Sequence, residues 1–158
     1  MRAIVAALPL ACALAWNAAA QAPQAPAAAP TVESVRKAAL EDKRALVARN
    51  MPLTEAEAKK FWPIYDGYQA KLGEIVKRQN RVVLDYVNAG ESLTEGNAKR
   101  ITKEFVEADA DEQKLRESTM KKLMSALPPR KAARYMQIEN KIRAIHRLDL
   151  AERVPLVP

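Results

Sequence analysis

The chain has little of what most reaction chemistry needs: one cysteine, one histidine, four glycines and a small share of aromatic residues. Cys12, alone, cannot form an internal disulfide. It falls within an apolar stretch near the N-terminus, and the residue three before it is Pro9, not the Leu of a lipobox. If that stretch leaves on export, no thiol chemistry remains and stability rests on packing. His146, the lone histidine, lacks the company of further His, Cys or ligand-spaced carboxylates that a metal site requires. It reads as a packing residue at the edge of an apolar stripe, with Asp149 and Asp111 as the only candidate carboxylates for a catalytic pair. Scarce glycine also excludes a phosphate-cradling loop. No catalytic residue, metal or cofactor is therefore nominated. No stretch alternates apolar and polar residues in the two-residue period of a strand, so the chain reads as all-α.

The N-terminus has the three parts of an export signal. Arg2 supplies a positive start, Ala3 to Trp16 an apolar run too short to span a bilayer, and Ala18–Ala22 small residues for cleavage. Residues 1–22 are read as a signal peptide cut after Ala22, with Ala20 the next choice. Residues 23–30, PQAPAAAP, form a Pro/Ala tether expected to be extended. Residues 31–158 make one domain, with no further stretch long enough to cross a membrane. The net charge is +7, or +6 without Arg2. Export argues against nucleic acid as a partner, and the excess suits anionic polypeptides, lipid head groups or lipopolysaccharide.

A nonapeptide recurs. Leu53–Phe61, LTEAEAKKF, returns as Leu93–Ile101, LTEGNAKRI, and a fainter copy, LPPRKAARY, spans Leu127–Tyr135. Each copy reads as the start of a helix. Thr54 and Glu57 predict a capping box; with Asn97 in place of the Glu, the Thr94 cap is predicted to be weaker. A first helix spans about Val32–Arg49, capped by Thr31, with Val32, Val35, Ala39, Leu46 and Val47 on its apolar side. The second carries a seam of Phe61, Tyr65, Tyr68, Leu72, Ile75, Gln79, Val82 and Tyr86 with one polar place, Gln79. Pro63 predicts a kink, or a short helix ending near Phe61 and a new one at Pro63. Gly90 is expected to close this helix as a left-handed cap.

The third helix presents Ile101, Phe105, Ala108 and Leu115, then Met120, Leu123 and Met124 after a slip in register. Its acids Glu107, Asp109, Asp111 and Glu112 read first as a solvated face, while Ala108 and Ala110 would permit close approach of another helix. The fourth begins at Pro129 with a stripe of Tyr135, Ile138, Ile142 and Ile145. From Lys121 to Arg147 there are eight Lys or Arg against one acid, Glu139. Two sets of residues are candidates for binding. Arg130, Arg134, Lys141, Arg143 and Arg147 edge the apolar stripe, which reads equally as core-facing. Met51, Met120, Met124 and Met136 are adaptable contact residues or, singly, core fillers. Helices two and three, each roughly 45 Å long at about 30 residues, are too slender to cover their own apolar faces. A second copy, a partner or a client is expected to meet what they leave bare.

The two starts Leu53-Thr54-Glu55-Ala56-Glu57 and Leu93-Thr94-Glu95-Gly96-Asn97 resemble the LTxxQ motif of the Spy/CpxP-like periplasmic proteins, with Glu57 and Asn97 where that family has Gln. The resemblance spans about Val32–Leu150. It implies an elongated helical hairpin that dimerises into a curved cradle, and an ATP-independent chaperone or an inhibitor of an envelope-stress sensor kinase. The His-rich ends of metal-responsive relatives are missing. The expected function is a periplasmic holdase that grips unfolded envelope proteins with apolar patches edged by Lys and Arg. A regulator docking on one sensor domain, or an inert basic protein held to anionic lipid, is the alternative.

Overall fold

The computed structural model describes residues 31–156. The segments read as a signal peptide and a Pro/Ala tether, with Cys12, lie outside the described residues. Four helices, and among the described residues no strand, follow in order: α1 (Val32–Asn50), α2 (Glu55–Ala89), α3 (Glu95–Ala126) and α4 (Pro129–Arg153), with a 3-10 turn at Gly90–Ser92. The protein is all-α. The main contacts join α2 with α3, α1 with α4, and α3 with α4. Neighbours run antiparallel, as the pairs Asp85–Arg100 and Arg78–Asp111, Arg36–Asp149 and Lys43–Glu139, and Arg143–Glu112 and Arg147–Asp109 require.

The repeated nonapeptide explains the helix starts and the core together. Thr54 Oγ1 accepts from the Glu57 amide at 3.3 Å, and Glu57 Oε2 accepts from the Thr54 amide at 2.7 Å, a full capping box. At Thr94 only the first half is made, to the Asn97 amide at 3.2 Å. The third copy has no side-chain cap; Pro129, at the first turn of α4, gives up an amide that would be unpaired there anyway. The Leu and Ala common to all copies stand just before the cap and at the fourth helical residue, the two places of a hydrophobic staple. The closing residue of each copy, Phe61, Ile101 or Tyr135, is buried.

Two copies also meet each other. Glu57 and Lys131 hold the same place in the first and third copies and pair at 2.5 Å. Phe61 and Tyr135, the two closing residues, pack edge to face with ring centroids 5.2 Å apart. Around them gathers the main core: Val47, Met51, Tyr65, Leu123, Leu127 and Ala132, drawn from all four helices. A smaller cluster of Val35, Leu46 and Ile145 joins α1 to α4.

Three expectations are corrected. The helix does not end near Phe61: α2 runs unbroken through Pro63. The lost hydrogen bond and clash cost about 3 kcal/mol, but Phe61 and Tyr65 bracket the proline and are both buried, each worth about 2 kcal/mol or more. The interruption falls instead in α1, at Asp42 (φ −158°, ψ 93°), where the carboxylate accepts from the Ala45 amide at 2.8 Å and so starts a fresh helical segment. Gly90 does take a positive φ of 46°, but with ψ of −129°; it is not a left-handed cap and leads directly into the 3-10 turn. Val32, placed on the apolar side of α1, is exposed.

Candidate binding groove

The far halves of α2 and α3 stay paired, through Arg78–Asp111 and Asp85–Arg100, and the end of α4 lies alongside them, tied to α3 by Arg147 and Asp109. The space left is an open groove of about 460 Å³. Val82, Val83 and Tyr86 come from α2, Ile101, Phe105 and Val106 from α3, and Leu150 from α4. Val154, Pro155 and Leu156, just beyond α4, close one side, held by a hydrogen bond from the Tyr86 hydroxyl to the Pro155 carbonyl at 2.9 Å. Its surface is mostly apolar, and Val106 on its lip is 60% exposed.

The floor is polar and fully committed. Gln79, 4% exposed, donates to Asp109 Oδ1 at 3.0 Å and to Glu112 Oε2 at 3.4 Å. Arg143 binds Glu112, and Arg147 lies 3.0 Å from Asp109. Two carboxylates thus meet two guanidiniums and one amide, so the charges cancel and the buried Glu112 is paired, with Arg147 reaching in from an exposed position. Of the α3 acids, Asp109 and Glu112 are therefore turned to the groove floor, while Glu107 remains on a solvated face. The polar place in the α2 seam sits directly opposite Asp109 and Glu112, and α4 supplies the cations. Asp111, one residue earlier, is hydrogen-bonded by Arg78 at 2.7 Å, which holds its carboxyl below the usual carboxylate range.

The residues picked from sequence for binding are not brought together. Arg143 and Arg147 are ion-paired under the groove, where they position its floor. Arg134 donates from Nε to the Asn50 carbonyl at 2.6 Å, closing the end of α1. Arg130 and Lys141 are exposed, well apart on α4. Met51 is a core residue, Met120 packs against the core, and Met124 and Met136 are exposed away from the groove. The α4 stripe faces inward: Tyr135 and Ile145 are buried, Ile138 and Ile142 partly so. Among the cap residues, Leu53 packs on the main core, whereas Leu93 and Ala98 line the groove.

No family model, curated protein or solved structure matches this chain. The resemblance to the Spy/CpxP-like proteins accordingly rests on the motif residues alone. His146 lines the groove and also a smaller cavity of about 200 Å³ beneath α1; its Nε2 is buried without a hydrogen-bond partner. No cluster of His, Cys, Asp or Glu able to hold a metal occurs among the described residues, and no described helix is long and apolar enough to cross a membrane. None of the apolar groove residues was picked for binding from the sequence: Phe105 was placed in the α3 stripe, and Val106 and Leu150 were not singled out, because three helices and a non-helical tail contribute to one surface that no single period marks. One signal was available: the Ala108–Glu112 stretch, too small and too acidic to fill a seam.

Proposed function

We propose that the chain is an exported, ATP-independent binding protein of the chaperone type, which holds apolar segments of unfolded polypeptides in the groove between α2, α3 and α4. The observation that carries this reading is the groove itself: an open, largely apolar trough whose buried charges are already neutralised, so that it offers a passing segment contact without a fixed pattern of hydrogen bonds. Such a surface favours weak, sequence-tolerant binding. The export signal and the resemblance to Spy/CpxP-like proteins point the same way, towards a periplasmic setting. Exposed apolar residues elsewhere, Leu84 and Val87 on α2 and Leu148 on α4, support a paired form as well. In this proposal two elongated copies associate into a cradle.

The test is suppression of aggregation. The chain should keep an unrelated unfolded protein soluble at a few-fold molar excess. Val83→Asp with Val106→Asp places two charges in the groove at a half-buried and an exposed site; it should abolish most of that effect while helical circular dichroism is retained. No suppression by the parent chain, or full suppression by the double variant, overturns the proposal. Small-angle scattering with solution mass tests the pairing, for which an elongated dimer is expected and a compact monomer is the refuting result.

A further inference from the structure

The main core draws the end of α1, the start of α2, the end of α3 and the start of α4 to one end of the molecule. The chain around these four helix ends, residues 49–61 and 121–135, carries eight cations: Arg49, Lys59, Lys60, Lys121, Lys122, Arg130, Lys131 and Arg134. It carries two acids, Glu55 and Glu57. All the cations but Lys131 are exposed, and Lys131 is the one that pairs with Glu57. Elsewhere the described residues hold as many acids as bases, and many of these are paired along and between helices. The excess charge that the sequence places in Lys121–Arg147 is thus redistributed. Lys141, Arg143 and Arg147 lie beyond this end, while Arg49, Lys59 and Lys60 join it from α1 and α2. The whole surplus of positive charge outside Arg2 resides on this one tip.

We propose that this tip docks on the surface of an anionic lipid bilayer. Its shape selects the partner. Two chain reversals, at Met51–Thr54 and Leu127–Pro128, make it a blunt end, and the apolar groove lies towards the other end of α2. A bilayer offers a plane of mobile phosphates that meets a blunt end face-on, needs no register and rewards several cations spread over that face. Docked in this way, the molecule stands end-on, with Val83 in the groove roughly 35 Å beyond Lys60 at 1.5 Å per helical residue. The groove then faces away from the membrane, open to material in the surrounding space.

Co-sedimentation with vesicles of phosphatidylcholine, with and without phosphatidylglycerol, tests the proposal on the full chain. The tip variant is Lys59→Gln, Lys60→Gln, Lys121→Gln and Lys122→Gln. The control removes the same charge elsewhere, by Lys71→Gln, Lys99→Gln, Lys141→Gln and Arg153→Gln; all eight sites are exposed helix positions, so both variants should fold. The first residues of the chain are common to both, so whatever they add cancels. The parent should favour the phosphatidylglycerol vesicles. The tip variant should lose that preference by about tenfold or more and the control by about twofold at most, because each cation at the surface adds to the attraction and distant ones are screened. Equal losses, no preference in the parent, or polyglutamate displacing the parent from vesicles at matched charge while failing to bind the tip variant would each overturn it, the last in favour of an acidic polypeptide partner.

Discussion

Gln79 shows how far a single polar residue can organise its surroundings. In a coiled-coil-like seam it looks like a defect. Here it is the α2 member of a polar layer, buried at Gln79 and Glu112 and completed by the more exposed Asp109 from α3 and Arg143 and Arg147 from α4. Such a layer adds little net stability, since desolvation offsets most of the attraction, but removing one member leaves a charge stranded. Arg143→Met should therefore destabilise the protein by about 2–3 kcal/mol, somewhat below the figure for a wholly buried pair because Arg143 keeps some exposure. Glu112→Leu combined with Arg143→Met should recover most of the loss, giving a strong coupling energy in a denaturant double-mutant cycle. Additive losses would show that the two side chains do not act as a pair.

At the level of the helix, the repeat is a device for starting an element and anchoring it in the same nine residues. The cap stops the chain unravelling, and the seventh helical residue drives into the core. Thr54→Ala and Thr94→Ala should each cost about 1 kcal/mol, the usual worth of an N-cap hydroxyl. Their partners should differ. Glu57→Ala loses the return bond to the Thr54 amide and the link to Lys131 on α4, the two contacts that also hold its carboxyl below the usual range. Asn97 makes no return bond, so Asn97→Ala should leave the thermal midpoint unchanged or raise it slightly. A larger drop for Asn97→Ala than for Glu57→Ala would contradict this assignment. The break in α1 belongs to this scale too. Asp42 interrupts the helix because a carboxylate that can cap the next segment competes with the helical backbone, a local preference that apolar periodicity does not register.

For the whole molecule, one core joins all four helices, and three buried phenols, two in it and one a turn further along α2, report on its integrity. The phenols of Tyr65, Tyr68 and Tyr135 are shifted upward, chiefly by burial, Tyr65 to about 12. A raised value means that the folded state holds its proton more tightly than the unfolded chain, whose phenols ionise near about pH 10. The stability linked to these groups is complete below that pH and drains away as the pH rises towards about 12. In an alkaline titration their phenolate absorbance should appear together with loss of helical circular dichroism. Ionisation of all the tyrosines near the ordinary value with the helices intact would show that the core is open to water.

The helices themselves were readable from the chain, because caps, staples, proline placement and apolar period act within a few residues of each other. The all-α class, the starts at Thr54, Thr94 and Pro129 and the buried aromatic anchors follow from these local rules. The groove, the polar layer beneath it and the charged tip did not, since each is assembled from residues far apart in sequence. Arg143 looks like a free cation until α3 sets Glu112 against it; Lys59 looks like an ordinary surface residue until three other helix ends join it. Periodicity states which side of a helix is apolar but not which helix will face it. Only packing distributes charge and cover among the elements, and so only packing decided where the groove and the charged tip lie.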